Sequence, residues 1–180
     1  MNVYKRPIVI LVCILIGATL LVFFSQQRWG LPGQYYPNPN WEGEPVVSRI
    51  DPIPYLKGDM GSKLLSTNVF SVKWRGWIAI HKSGTYKFAT NSDDGSYLRI
   101  NGQEVVNNGG VHGLQRALRE IHLEKGVYPV EILYLQAGGF SFIQVLWTSP
   151  GNLEKPIPAE VLFSKNPRWA EILFRKGIIG

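Results

Sequence analysis

Alternation of apolar and polar residues is the clearest pattern in this chain, and it is most regular from Val69 to Ile80. Every second residue of the segment is apolar or glycine, and the positions between them include Lys73 and Arg75. A period of two is typical of a strand that buries one face. The segment therefore predicts a long strand that presents one set of residues to a core: Phe70, Val72, Trp74, Gly76, Ile78 and Ile80.

Shorter segments of the same kind follow, and turn residues separate them. They cover 85–90, 97–100, 104–106, 127–135 and 141–147, with a last edge strand at 161–163. Asn101-Gly102 lies between two of these segments and is a strong hairpin signal. Segments 127–135 and 141–147 predict a second hairpin around 136–140. Many short strands with turns between them predict an all-β fold, a two-sheet antiparallel β-sandwich or barrel.

Three segments deviate from this regular pattern. Residues 114–123 fit a helix or a strand, and the alternation in their second half favours a strand. Prolines interrupt 46–59, which predicts a loop or an edge strand, and within the globular part no helix is predicted before the C-terminal segment. There, Asn166-Pro167 is a helix start and Gly177 a stop, so we expect a short amphipathic C-terminal helix.

Residues 7–24 are apolar and uncharged. As a helix they extend about 27 Å, close to the hydrocarbon thickness of a bilayer, so they predict one N-terminal transmembrane helix. A cleaved signal peptide is the alternative, but its apolar core is shorter and ends in small residues. Lys5 and Arg6 precede the segment and Arg28 follows it, which predicts a cytoplasmic N-terminus and a periplasmic or extracellular domain.

The length of 180 residues suits one domain with additions at its ends. We expect a cytoplasmic stub and anchor at 1–27, a β-sandwich at 28–164 and a helical tail at 165–180. The net charge of +6 is scattered, without the basic cluster that nucleic-acid binding requires. Cys13 is the single cysteine, which excludes an intramolecular disulfide and a cysteine metal site.

Asp93 and Asp94 are adjacent in a turn between two predicted strands. Like charges repel, so a cation or a set of backbone N–H groups must offset the cost of holding the pair together. Glycosidases need two carboxylates on opposite sides of a bond, and no hydrolase, metalloprotease or phosphate-binding motif occurs. The sequence therefore predicts a non-catalytic protein. His112 lies in a glycine-rich loop and is expected to be exposed.

Six short motifs follow one another in the predicted domain: Gly30-Leu-Pro-Gly-Gln-Tyr-Tyr36, Phe70-Ser-Val-Lys-Trp-Arg-Gly-Trp-Ile78, Ser83-Gly-Thr-Tyr-Lys-Phe88, Ser92-Asp-Asp-Gly-Ser-Tyr-Leu-Arg-Ile-Asn-Gly102, Leu123-Glu-Lys-Gly-Val-Tyr-Pro-Val130 and Val145-Leu-Trp147. In residues and in order they resemble the PA-fourteen family, the β-sandwich module named after the anthrax protective antigen. The resemblance implies a two-sheet sandwich over about residues 30–163. Because the family recurs in glycosidases, adhesins, toxins and signalling proteins, usually as a carbohydrate-binding or accessory module, the fold alone does not define the function.

In the sugar-binding adhesin branch of that family, two adjacent aspartates joined by a cis peptide bind Ca²⁺, which coordinates sugar hydroxyls. The resemblance implies that Asp93 and Asp94 occupy these positions. The branch takes a third metal ligand, an asparagine, from a second loop, and a tryptophan four residues later contacts the sugar. Gln136 and Phe140 stand at the corresponding positions, although ordinary loop packing also explains Phe140.

The resemblance thus implies a metal site of Asp93, Asp94 and Gln136. It implies a ligand site formed by the two aspartates with Gly138, Gly139 and Phe140. The predicted function is a membrane-anchored, outward-facing carbohydrate-binding module that uses Ca²⁺. The alternative is a non-catalytic structural or protein-interaction module of a cell-envelope complex, with an envelope protein as its partner.

Overall fold

The computed structural model describes residues 29–167, together with residues 9–10, 12–15 and 17, which are helical. In these ranges no helix combines the length and the apolar character needed to cross a membrane. The predicted anchor at 7–24 lies mostly outside the described residues. The predicted C-terminal helix lies outside them beyond Pro167.

Twelve strands form two antiparallel sheets, which confirms the predicted all-β sandwich. The seven-stranded sheet contains β1 (Leu31–Tyr36), β2 (Val47–Asp51), β4 (Phe70–Ile80), β6 (Ser96–Ile100), β7 (Gln103–Asn108), β9 (Gly126–Gln136) and β12 (Leu162–Phe163). The five-stranded sheet contains β3 (Tyr55–Lys57), β5 (Gly84–Asp93), β8 (Gln115–Leu123), β10 (Phe142–Thr148) and β11 (Lys155–Pro156).

The core lies between the sheets, and β4 is central to it. The alternate residues that the sequence assigned to its inner face, from Phe70 to Ile80, are buried except Gly76, which is partly buried. The five-stranded sheet opposes them with three aromatic rings, Tyr86, Phe88 and Trp147, whose centroids lie 5.6–6.4 Å apart. Such large apolar side chains contribute most of the free energy that stabilises a sandwich of this size.

The predicted hairpin around 136–140 is wrong, because β9 and β10 lie in different sheets. β9 pairs with β4 and β6, whereas β10 pairs with β3, β5 and β11. A period of two predicts strands but not their partners, and a loop that crosses between sheets has the same length as a hairpin loop. The chain also passes from one sheet to the other between β5 and β6. There the carbonyl oxygen of Gly95 accepts a hydrogen bond from the backbone N–H of Leu135. The two crossings therefore meet at one end of the sandwich.

The expectation that the globular part has no helix before the C-terminal segment is also wrong. A helix runs from Met60 to Leu65, without a side-chain cap, and a short 3₁₀ helix covers Ala159–Val161. Gly61 lies directly against the ring of Phe70, where a Cβ atom would collide with it, and Leu65 is buried. Contact with the core holds this helix together, since six residues are too few for stability from helix propensity alone.

Two other local predictions stand. Asn101 and Gly102 have φ angles of 52° and 77° in the turn between β6 and β7, as a tight hairpin of this composition requires. Residues 115–123 form a strand throughout, so the helical alternative for this segment is excluded.

The chain enters and leaves the domain at neighbouring points. Trp29 bridges to Phe163, and the amide of Gly30 donates to the carbonyl oxygen of Leu162. Leu162 pairs with Ile78 near one end of β4, and Gln136 pairs with Phe70 at the other. The points where the chain enters and leaves the domain therefore lie about 27 Å along β4 from the end where the two sheet crossings meet.

Candidate functional site

Three connections converge at this far end of the sandwich. The aspartate turn (residues 93–95) joins β5 to β6, the histidine loop (109–114) joins β7 to β8, and the glycine loop (137–141) joins β9 to β10. The peptide bond between Asp93 and Asp94 is cis. The structure thus brings the two predicted aspartates together with the loop that carries Gly138, Gly139 and Phe140.

Asp94 connects the three segments. Its side chain is buried, with one carboxylate oxygen accepting the backbone N–H of His112 at 2.9 Å and the other that of Ala137 at 2.8 Å. Each partner belongs to a different loop, so a single carboxylate holds both loops against the aspartate turn. Hydrogen bonds between N–H donors and an ionised carboxylate are stronger than neutral ones.

Asp93 is more exposed, and its carbonyl oxygen accepts a hydrogen bond from the hydroxyl of Tyr134 at 2.6 Å. Burial and the charge of Asp94 raise the pKa of Asp93, and the backbone N–H of Leu114 and the charge of His112 oppose this only in part. An added positive charge would relieve the repulsion between the two carboxylates.

His112 is partly buried, not exposed as the sequence suggested. Its Nδ1 lies 2.8 Å from the carbonyl oxygen of Gly113 and its Nε2 lies 3.1 Å from that of Asn108. Only the doubly protonated ring can donate to both oxygens. Burial lowers the pKa of His112, but these carbonyl groups and the two aspartates raise it above its ordinary value overall. Nothing in the spacing of the sequence indicated this position.

Gln136 is fully buried beneath the glycine loop. Its Oε1 accepts from the hydroxyl of Tyr134 at 2.7 Å, and its Nε2 donates to the carbonyl oxygens of Gly138 at 2.7 Å and Phe140 at 3.3 Å. The amide therefore shapes the loop from inside. The role of Gln136 as a metal ligand stays a prediction.

The rim of the site is apolar and exposed. Phe140 is 51% exposed, and the histidine loop adds Val111 at 75% and Leu114 at 64%. Gly138 and Gly139 have φ angles of 139° and 78°, conformations in which a side chain would be strained. Phe140 is thus an exposed ring beside a stretch of glycine backbone, in the loop whose first residue donates to Asp94.

Buried polar side chains beneath the aspartate turn were not predicted. The hydroxyl of Ser96 lies 2.7 Å from that of Ser92 and donates to that of Thr90 at 2.9 Å, while the amide of Asn108 donates to Ser92 at 3.0 Å. These residues connect β5, β6 and β7 under the site. Because they are small and alternate with apolar residues, the local pattern is typical of any strand and does not indicate a buried polar cluster.

A second buried carboxylate, Asp51, lies away from these loops and also escaped prediction. One of its oxygens accepts from the hydroxyl of Tyr35 at 2.5 Å and from the indole of Trp74 at 2.7 Å. The other accepts from Arg49 at 2.7 Å. Every donor here is a side chain, and one of them carries a positive charge.

The donors at the aspartate turn are oxygens of two carboxylates and nearby backbone carbonyl groups. Calcium prefers six to eight such ligands, whereas zinc prefers nitrogen and sulfur. Among the described residues, no three His, Cys, Asp or Glu side chains form a group that could hold a metal ion. A calcium ion here would therefore need ligands beyond the two carboxylates, such as backbone carbonyl groups, water or ligand hydroxyls.

Comparisons with known proteins agree with the fold. The family model described as PA14 domain matches residues 27–160. The chain is 28% identical over 137 residues to the anti-sigma-I factor RsgI3 of Acetivibrio thermocellus. This match covers 74% of this chain and 21% of that protein. The chain thus spans about a fifth of that relative.

Solved structures give the same result. An anti-sigma factor domain-containing protein from Clostridium clariflavum superposes with a TM-score of 0.71 at 24% identity, over 78% of this chain and 48% of that one. A PA14 sugar-binding domain from an RTX adhesin superposes with a TM-score of 0.64 at 20% identity, over 76% of this chain and 98% of that one. At these identities, the likeness establishes the fold.

Proposed function

The chain belongs to the PA14 domain family, and on this premise we propose that its domain is a carbohydrate-binding module whose Asp93–Asp94 pair holds Ca²⁺. One observation carries the proposal. Asp94 ties two loops to the aspartate turn through backbone N–H groups, so the pair is held in place without a permanently charged side chain. Such a pair attracts a cation that is supplied with the ligand.

The chain's own residues have separate roles in this proposal. Asp93 and Asp94 hold the ion, Gln136 sets the shape of the glycine loop, and Phe140 offers an apolar surface to a sugar ring. Bound calcium supplies coordination positions for hydroxyl oxygens, which are ligands that this ion accepts. Specificity among sugars then depends on the rim residues of the histidine and glycine loops.

The comparisons support a binding role over catalysis. One matched structure is described as a sugar-binding domain, and the matched relative RsgI3 is described as an anti-sigma-I factor. These are descriptions of other proteins, and this chain spans only part of RsgI3. A structural or protein-interaction module is the second candidate, favoured by the absence of a third acidic metal ligand among the described residues.

We further propose that the domain is anchored in a membrane by residues 7–24 and faces outward. The apolar segment and the basic residues before it support this topology. The position of the chain connections adds support, since Trp29 and Phe163 lie at the end of the sandwich opposite the aspartates. A helix at 7–24 would therefore leave the site directed away from the bilayer.

Calorimetric titration of the full chain tests the proposal. The protein is purified in a detergent without a sugar headgroup and titrated with glucose, galactose, mannose, xylose, arabinose and their short oligomers, first in Ca²⁺ and then in EGTA. We expect binding that weakens at least about tenfold in EGTA and in Asp93→Ala.

The matched control is Glu160→Gln, which neutralises an exposed carboxylate of the 3₁₀ helix and should bind like the wild type. Absence of heat with every sugar, together with no effect of Ca²⁺ on the melting temperature, would contradict the proposed function. The structural candidate would then remain.

A further inference from the structure

The outer surface of the five-stranded sheet carries a row of polar side chains next to the aspartate turn. We infer that this amide row, formed by Tyr55, Gln144, Asn91 and Arg116, binds the second unit of an oligosaccharide whose first unit sits on the aspartates. The inference rests on the proposed function and specifies its ligand as a chain of sugars.

Strand register places these residues side by side. Gln144 of β10 pairs with Tyr55 of β3 on one side and with Asn91 of β5 on the other. Arg116 of β8 continues the row beside Asn91. The neighbours of Asn91 and Gln144 along their strands, including Ser92 and Ile143, are fully buried. Since side chains alternate between the faces of a strand, the row lies on the outer face.

The uncharged members of the row have no hydrogen-bond partners within the described part of the chain. The side chains of Tyr55, Asn91 and Gln144 make no hydrogen bond there, and Oδ1 of Asn91 is buried without a donor. Among the charged groups on the same sheet, Lys87 pairs with Glu120 at 2.7 Å. Buried amide oxygens normally have a partner, so Asn91 is the unusual member of the row.

The row is continuous with the aspartate turn. Phe142 pairs with Asp93 one row nearer the tip, and its ring contacts Tyr55 edge to face at a centroid distance of 6.0 Å. Asn91 precedes Asp93 by two residues of β5, a distance of about 7 Å. A glycan that leaves the aspartates along β5 would therefore meet the amides beyond its first unit.

The chemistry of the row suits a neutral polyol. Amides donate and accept hydrogen bonds at once, as sugar hydroxyls do, and Tyr55 with Phe142 offers apolar surface beside them. Arg116 is already paired bidentately with Glu154 at 2.5 and 3.1 Å, so its charge is neutralised. A neutral oligosaccharide fits this surface better than an acidic one.

Calorimetry on the full chain in Ca²⁺ tests the inference with matched mono-, di- and trisaccharides of the sugar that binds best. We expect the disaccharide to bind about threefold to tenfold more tightly than the monosaccharide, as one or two added hydrogen bonds would give. Gln144→Ala and Asn91→Ala should remove this gain and leave the affinity for the monosaccharide unchanged. Gln103→Ala, an exposed amide of β7 on the other sheet, is the control and should change neither.

The outcomes separate the two proposals. Equal affinity for mono- and disaccharide overturns the amide row and leaves the carbohydrate-binding function standing. Equal weakening of both ligands by Gln144→Ala also overturns it, because the residue would then act on the first sugar unit. If no sugar binds at all, both proposals fail together. Melting curves confirm that each variant is folded, and Tyr55→Ala replaces Asn91→Ala if the latter does not fold.

Discussion

Asp51 and Asp94 are both buried and both hydrogen-bonded through each carboxylate oxygen, yet their surroundings differ. Asp51 is held by side chains, and the guanidinium of Arg49 at 2.7 Å supplies a permanent positive charge. Asp94 is held by backbone N–H groups of two loops, and its neighbour in the chain is another carboxylate. The positive charge beside it belongs to His112, which carries it only when protonated.

Under the proposed function, this difference separates a structural carboxylate from one that binds a cation. A buried carboxylate that already has a positively charged partner needs no further cation, and removal of that carboxylate destabilises the core. A buried charge next to a like charge lowers the stability of the folded protein until a cation arrives. If the proposed function holds, Asp51 sets the stability of the domain and the Asp93–Asp94 pair would make that stability respond to calcium.

The largest effect is expected from Asp51→Ala. The substitution leaves the hydroxyl of Tyr35 and the indole of Trp74 without an acceptor in the core, and it should lower the free energy of unfolding by about 3 kcal/mol. Urea denaturation measures the loss. The increase in melting temperature with Ca²⁺ should persist. If it disappears, the two carboxylates are not independent and the comparison fails. Asp59→Ala, at an exposed carboxylate, should leave the unfolding curve unchanged.

A smaller loss of stability is expected from Asp94→Asn, together with loss of the calcium response. The new NH₂ group must face one of the two backbone N–H donors, which should cost about 1–3 kcal/mol. Melting curves with and without Ca²⁺ measure both effects. Glu131→Gln is the isosteric control: it neutralises a carboxylate paired with Arg75 and Arg99 on the sheet surface. It should retain the calcium response, and an Asp94→Asn protein that still responds would refute the assigned role.

The smallest effect, and one of opposite sign, is expected from Asp93→Asn. Burial and Asp94 raise the pKa of Asp93, so without metal the folded state becomes less stable as the pH rises from about 3.9, the ordinary aspartate value, through the raised pKa. Asp93→Asn removes that loss. In chelator, the variant should be as stable as the wild type or slightly more stable at neutral pH, and Ca²⁺ should stabilise the wild type alone. Urea midpoints across this pH range measure the difference, and a variant that is less stable at every pH would contradict the expectation.

Much of the fold could be predicted because its information is local. The alternation in β4 and the Asn101-Gly102 turn depend on side chains that are close in sequence. The division of strands between sheets could not be predicted from that pattern, because β9 and β10 would look the same in a hairpin. The helix Met60–Leu65 was missed because it forms through its contact with Phe70.

The sequence pointed to the two aspartates of the candidate site but not to the groups that hold them in place. Asp93 and Asp94 are adjacent in sequence and therefore visible as a pair. The partners of Asp94 lie 18 and 43 residues away and are backbone groups, which no residue type reveals. The same holds for Asp51, whose donors are brought to it by strand pairing.

The Trp29–Phe163 bridge brings the two ends of the domain together. A force applied to a bound ligand would pass along the strands to the opposite end of the sandwich, where both chain ends lie together. The module could likewise be carried as a side branch of a longer polypeptide, since inserting it adds almost no distance between the flanking segments.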